Sequence, residues 1–287
     1  MEPQDEDAAF ERTSEAIRRQ KPPQTTYITE VETPHGNPAR FKTRSGTSDL
    51  ATVGASNRLW GNLVDEYHLG SFHDLPGWGL DIGAHIGSVT VPLLIDNPDM
   101  RVVAIEGVPD NCDLLEENLA LNGVADRCYV WRGVAWDTTK ASTDIEYGYT
   151  GSEVAETHAY IGSVTPWMDA PGDKKSARVP CFTLGDVIKK TGGVGFVWVK
   201  SDCEGCEHRF LKGAGLAKLG IIEGEWHERD GSPESFAKQL SKTHEVIWSQ
   251  GIGGGPFTAN PRKAWQGFSD EARDLYKVRL GIADLMP

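Results

Sequence analysis

The chain has 287 residues, enough for one large domain with a full core. Apolar residues make up 39%, which is ordinary for a globular protein, and a formal net charge of −13 argues against a nucleic-acid backbone as main partner. No apolar run reaches about 18 residues, so no membrane span is expected. The acidic start MEPQDEDAAFER has no secretory apolar stretch, and five cysteines in this length suggest no disulfide framework, so the expected setting is cytoplasmic.

Residues 1–47 read as an N-terminal accessory segment and 48–287 as the main domain. A short helical pattern around Ala8, Phe10, Ala16 and Ile17 stops at Pro22 and Pro23. Residues 25–47 alternate loosely through Tyr27, Thr29, Val31 and Phe41, which fits short strands or loops. A helix is expected over 48–67, capped by Ser48, with Leu59, Leu63 and Tyr67 at i, i+4, i+8 and with Trp60 and Val64 widening the stripe. Strands and helices then alternate. Expected strands run from Trp78 to Ile82, Arg101 to Ile105, Cys128 to Ala135, Phe196 to Lys200, Gly220 to Trp226 and Glu245 to Trp248. Expected helices run from Val89 to Ile95 and from Asp110 to Asn122, the latter ended by Gly123. That alternation implies a mostly parallel, doubly wound α/β sheet flanked by helices. Between the third and fourth strands, residues 137–177 are rich in small polar residues but carry Tyr147, Tyr149, Tyr160 and Trp167. So long a connection is expected to be an insertion near the site.

The informative segment is Leu80-Asp81-Ile82-Gly83-Ala84-His85-Ile86-Gly87-Ser88, which leaves a strand and opens a helix. Gly83 permits a tight turn and close approach to a ligand, and Gly87 lets the helix start pack near the same crevice. The spacing is D-x-G-x-x-x-G, not the G-x-G-x-x-G that holds a pyrophosphate. Asp81 can accept from an ammonium. Glu106, closing Val102-Val103-Ala104-Ile105-Glu106, can accept both hydroxyls of a ribose. A phosphate-free nucleoside with an amino-acid head fits both, and S-adenosyl-L-methionine is the expected cofactor. The expected cofactor residues are Asp81, Gly83, Ala84, His85, Gly87, Glu106, Ala135 and Asp202. A nucleotide-dependent oxidoreductase is the alternative on the same sheet, and the glycine spacing speaks against it. A non-catalytic partner protein that binds the cofactor is a second alternative.

These segments resemble the FkbM family of methyltransferases. Asp81 to Gly87 is similar to its first motif, and Glu106 with the helix ending Glu-Asn-Leu-Ala-Leu-Asn-Gly to its second. Lys200-Ser201-Asp202-Cys203-Glu204-Gly205-Cys206-Glu207, followed by Leu211-Lys212-Gly213-Ala214, is similar to the family's K-x-D-x-E-G-x-E and L-K-G-A signature. Thr47-Ser48-Asp49 also resembles an upstream family segment, so the likeness runs from about Thr47 to His227. It implies a Rossmann-like class I methyltransferase fold and methyl transfer, usually to a hydroxyl oxygen of a sugar or secondary metabolite. Two departures stand out. Gly107 replaces a proline, and Gly185 shifts the acid of Thr-Leu-Asp to Asp186, which questions that acid's capping role.

Methyl transfer to oxygen requires a positioned nucleophile and removal of its proton. Asp202 and Glu204, two residues apart after the fourth strand, can serve one face, as base or as holders of the methionine amino group. His227, after Glu225 and Trp226 and before Glu228, is a third candidate because a free imidazole titrates near neutrality. Cys203 and Cys206 form a C-x-x-C with no second pair; Asp202, Glu204, Glu225 and His227 are compatible with a divalent metal, but no ligand spacing demands one. The expected function is therefore O-methyl transfer to a small or medium polar acceptor, with small-molecule acceptors as partners and no nucleic acid or membrane. The sequence does not fix the oligomeric state.

Overall fold

The computed structural model describes residues 25–137, 142–148, 159–161, 174–227, 232–249 and 255–262. The expected helix around Ala8 to Ile17, and Tyr149, Trp167 and Glu228, lie outside these residues.

Strands β1 (Thr26–Glu32) and β2 (Pro38–Arg44) form an antiparallel hairpin whose Ala39 and Phe41 are buried in the main core. Helix α1 (Asp49–Ser56) follows, and it is much shorter than the 48–67 helix expected. The chain leaves the helix at Asn57, which is extended and whose Nδ2 donates to the carbonyls of Val53 and Ser88. Trp60 and Val64 do not extend an apolar stripe: they are 81% and 70% exposed. Trp60 and Gly61 both have positive φ, which no continuous helix allows. Tyr67 is buried, but from a loop.

The α/β core contains β3 (Gly77–Ile82), α2 (Thr90–Asp96), β4 (Met100–Glu106), α3 (Pro109–Leu121), β5 (Cys128–Arg132) and β6 (Val134–Ala135). Next come β7 (Ser142–Gly148), β8 (Ala159–Ile161), β9 (Lys174–Phe182), α4 (Leu184–Lys190) and β10 (Phe196–Ser201). The chain continues through α5 (Glu207–Phe210), β11 (Leu219–Trp226), α6 (Pro233–Leu240), β12 (His244–Trp248) and β13 (Gly255–Pro261). Seven strands form one sheet in the order β12-β13-β11-β10-β3-β4-β5. The five strands from β11 to β5 are parallel, and β13 is inserted antiparallel between β11 and β12. The parallel part and its flanking helices match the expected doubly wound architecture, the class I methyltransferase arrangement. The β13 insertion was not legible beforehand.

Strand alternation divides the core between two faces. Val102, Ala104 and Trp198 pack in one cluster with Phe41, Leu93 and Leu115. Val103, Ile105 and Val199 pack in another with Leu80, Ile82, Trp226 and Phe236. Because β10 is buried along its whole length, it reads as a nearly continuous apolar run, as a central parallel strand should. The third expected strand, Cys128 to Ala135, breaks at Gly133. Its first part joins the main sheet, while β6 pairs with β9 in a small sheet ordered β6-β9-β7-β8. Part of that sheet lies within 137–177, with Tyr147 buried in its own cluster.

Asp186 does cap. The Thr183 hydroxyl accepts from the Asp186 N–H and the Asp186 carboxylate accepts from the Thr183 N–H, so the shifted acid completes a capping box at the start of α4. No helix among the described residues is long and apolar enough to cross a membrane.

Candidate active site

A cavity of about 680 Å³ opens where β3, β4, β10 and β11 end, the place where such sheets bind ligands. Of the expected cofactor residues, Gly83, His85, Glu106, Ala135 and Asp202 line it. Asp81, Ala84 and Gly87 sit behind that wall. Asp81 is fully buried and receives a hydrogen bond from Thr90 Oγ1 at 2.5 Å, so its cationic neighbour is the protein's own Lys200, 3.4 Å away, and not a ligand ammonium. The pairing is built into the sheet, since Asp81 and Lys200 are register partners on adjacent strands.

Gly83 is required by two observations. Its φ is +79°, and a Cβ there would lie 1.8 Å from the Asp202 carbonyl oxygen. The β3 and β10 ends therefore meet backbone to backbone, held by Asp202 N–H on the Ile82 carbonyl and by Lys200 Nζ on the Gly83 carbonyl at 2.7 Å. Gly87 serves packing, because a Cβ there would come within 2.8 Å of Leu115 on α3.

Glu106 is 7% exposed. Its Oε2 accepts from the His85 N–H at 2.8 Å and its Oε1 from the Val108 N–H at 2.7 Å, so the carboxylate fastens the first glycine turn to the start of α3. Burial raises its pKa despite these donors. His85 stands 3.5 Å from Asp49, a buried carboxylate that Arg44 holds by two side-chain bonds, to Oδ2 at 2.8 Å and to Oδ1 at 2.7 Å. Burial would raise the Asp49 pKa, but Arg44 outweighs it and the net shift is downward.

The cavity is also rich in carboxylates. Glu66, Asp202, Glu204 and Glu225 line the cavity, with Lys200 and Arg209 as its long cationic side chains. Burial raises the pKa of Glu66, reinforced by Asp202 and Glu225, and burial raises that of Glu225 against the opposing pull of His227. Burial alone would lower that of Lys200, yet Asp81 and Asp202 raise it, so its ammonium persists. Tyr67 OH donates to Asp202 Oδ2 at 2.7 Å. His227 does not line the cavity but stands beside it. Its Nδ1 is 3.1 Å from Glu207 Oε1, and its Nε2 is 3.8 Å from Asp202 Oδ1 and 3.6 Å from Glu204 Oε2. Burial would lower its pKa, but Glu207, Glu204 and Asp202 lift it to about 9, so near neutral pH the ring is an imidazolium and a poor proton acceptor.

Glu204 has a left-handed backbone, φ +58°, in the loop before α5. Glu207 Oε1 braces that loop through the N–H groups of Cys203 and Gly205. Cys203 and Cys206 are joined by a disulfide with a Cα separation of 5.5 Å, a single local bridge that sequence reading did not anticipate, while Cys112, Cys128 and Cys181 remain thiols. The turn into α5 brings a C-x-x-C spacing to bridging distance. Sequence reading missed Glu66, Asp49 and Arg44 as site residues and placed Tyr67 only in the helix expected over 48–67. Of these, only Arg44 lies outside the stretch from Thr47 to His227 that resembles the family.

The cavity suits S-adenosylmethionine. Its sulfonium and ammonium are cations, which the carboxylates lining the cavity favour.

Comparison with known proteins agrees. The family model described as the methyltransferase FkbM domain matches residues 81–272. A ribosomal RNA small subunit methyltransferase G from Frankia alni is 24% identical over 57% of this chain and 65% of its own length. A tRNA wybutosine-synthesizing protein 2 homolog from Danio rerio is 36% identical over 25% of this chain and 18% of its own. The chain thus spans less than two thirds of each of these curated relatives. Among solved structures, an RNA methyltransferase from Salinibacter ruber in complex with S-adenosyl-L-homocysteine is similar at a TM-score of 0.34. It is 11% identical, over 71% of this chain and 94% of that one.

These relatives correct one expectation. Two curated relatives carry RNA in their names, so the exclusion of nucleic acid as a partner does not stand. Net charge describes the whole surface and does not decide what one concave site accepts. The oxidoreductase alternative gives way as well: the cofactor is S-adenosylmethionine, and the chain belongs to the FkbM family of methyltransferases.

Proposed function

We propose that the chain transfers a methyl group to a hydroxyl oxygen of a small or medium polar acceptor, such as a sugar or a secondary-metabolite scaffold. The supporting observation is the convergence of Asp202, Glu204 and His227 at the ends of β10 and β11. When bound, S-adenosylmethionine supplies an electrophilic methyl on a sulfonium. The chain's own residues orient the acceptor and receive its proton. Tyr67 fixes Asp202 through Oδ2. Glu207 fixes His227 through Nδ1, which leaves Asp202 Oδ1, Glu204 Oε2 and His227 Nε2 directed at one another. A hydroxyl placed among them would meet a proton acceptor within hydrogen-bond reach.

The test is isotopic methyl transfer from labelled S-adenosylmethionine to three acceptor sets in parallel: hydroxylated small molecules, RNA and protein. The expected product is a methyl ether on a small molecule. Label confined to RNA or protein would overturn the acceptor class. With the acceptor in hand, Asp202→Asn, Glu204→Gln and His227→Gln are compared. At least one should lose about 10²–10⁴ in turnover while still binding S-adenosylhomocysteine. Wild-type turnover in all three would remove this cluster from the chemistry.

A further inference from the structure

We propose that Asp202, Glu204 and His227 form a site for a divalent first-row transition ion, with Glu207 orienting the imidazole. One oxygen from each carboxylate and one histidine nitrogen lie within 4.8 Å of one another. The histidine Nε2 is 3.8 Å from Asp202 Oδ1 and 3.6 Å from Glu204 Oε2. Those separations are too long for good hydrogen bonds. They approach the spacing of two atoms that each lie about 2.0–2.2 Å from a shared ion, roughly 3.4 Å across a tetrahedral angle.

The opposite side of two ligands is already engaged. Nδ1 of His227 faces Glu207 Oε1, the carboxylate–histidine pairing that sets ring orientation in metal centres. Asp202 Oδ2 takes the Tyr67 hydroxyl, leaving Oδ1 toward the ion. A separate observation concerns charge. Glu207 is fully buried, and its Oε2 has no hydrogen-bond partner among the described residues. Asp202, Glu204, Glu207 and Glu225 gather here, and the Lys200 ammonium comes no nearer to Asp202 than 3.8 Å. An ion bound at Nε2 would take the place of that nitrogen's proton and bring a second positive charge toward these carboxylates.

One imidazole with two carboxylates suits Zn²⁺, Mn²⁺ or Co²⁺ better than Mg²⁺ or Ca²⁺, which favour oxygen ligands throughout. Three protein ligands also leave a position open. Asp202 and Glu204 line the cavity, so a hydroxyl entering it could complete the shell and lose its proton more readily. That last role rests on the proposed hydroxyl acceptor; the ion site itself does not.

Co²⁺ is the probe. Chelator-treated full-length protein is titrated with Co²⁺ alone, followed by calorimetry and by visible absorption. The expected result is one saturable ion per chain, weakened about 10–100-fold in Glu207→Gln and more in His227→Gln and Glu204→Gln. Circular dichroism checks each variant's fold, and Glu204→Gln, at a partly exposed position, carries the test if His227→Gln does not fold. Absence of saturable binding overturns the site, as does equal affinity in wild type and Glu204→Gln. Binding abolished in Cys203→Ser/Cys206→Ser, with a sulfur-to-cobalt charge-transfer band, would assign the ion to the thiols and overturn it too. None of these readings needs turnover, so failure of the proposed acceptor class leaves them interpretable.

Discussion

Replacing Glu106 by alanine should damage stability and cofactor binding separately, and the structure sets the size of each loss. The carboxylate accepts two backbone N–H groups, from Val108 at 2.7 Å and from His85 at 2.8 Å. The Val108 bond is buried, and leaving its donor unpaired costs about 1–3 kcal/mol. The His85 bond is only partly buried at the cavity, so water can replace it and its loss adds little. Removing a buried charge returns some desolvation energy, which keeps the net destabilisation near 1–3 kcal/mol. With a urea slope of about 1–3 kcal/mol per molar, the midpoint should fall by roughly 1 M. S-adenosylhomocysteine affinity should drop by about 1.5–3 kcal/mol, since a charged acceptor for the ribose is lost; that is roughly ten- to a hundred-fold or slightly more. Urea unfolding and calorimetry on Glu106→Ala measure the two losses. Glu106→Gln keeps one acceptor and places an amide donor against the other N–H, so it should fall between wild type and alanine. Unchanged affinity with lowered stability would make Glu106 a loop brace only and move the ribose elsewhere. Unchanged values in both would refute the reading of this carboxylate.

Gly83→Ala should abolish soluble expression or weaken S-adenosylhomocysteine binding by at least about tenfold, because its Cβ would overlap the Asp202 carbonyl at a positive φ; normal binding would contradict the close approach. Arg44→Ala should cost about 3–5 kcal/mol in urea unfolding by stranding the buried Asp49 carboxylate, and Arg44→Met with Asp49→Leu should recover much of it; a mild single mutant would show that water reaches Asp49. His244 is buried, with Nε2 donating to the carbonyls of Leu219 and Gly220, and burial holds its pKa below the ordinary 6.5. The unfolded chain therefore binds the proton first, so this residue's contribution is intact above about pH 6.5 and is lost as pH falls toward the lowered folded value. The stability difference between wild type and His244→Gln should shrink over that interval, and a difference that does not change with pH would exclude this linkage.

The central sheet was legible because β3, β4 and β10 are buried strands whose apolar runs end at glycine turns or acidic residues. The 48–67 helix was overread because Leu59, Leu63 and Tyr67 happen to fall at helical spacing. Their row says nothing of the positive φ at Trp60 and Gly61. Asp186 shows the opposite case. Its three-residue spacing from Thr183 is a capping box, and that spacing outweighed the departure from the family pattern. Gly83 and Glu106 line the cavity, but Asp81 lies behind it, since only the sheet register reveals that Lys200 is its neighbour. Tyr67 on Asp202 joins residues far apart in the chain and leaves no local periodicity to read.

The Arg44–Asp49–His85 chain of contacts bears on where the working enzyme begins. The family match starts at residue 81, yet Asp49 stands against His85 and Tyr67 holds Asp202, both from upstream. The β2 strand that carries Arg44 is itself tied to α3, through its Lys42 N–H on Asn118. A truncated chain spanning only the matched region would keep the motif residues from Asp81 onward and lose the groups that contact His85 and Asp202. The matched stretch thus leaves out residues that touch the cavity wall, and substitutions between residues 40 and 67 are expected to act on cofactor binding as directly as changes within the motifs.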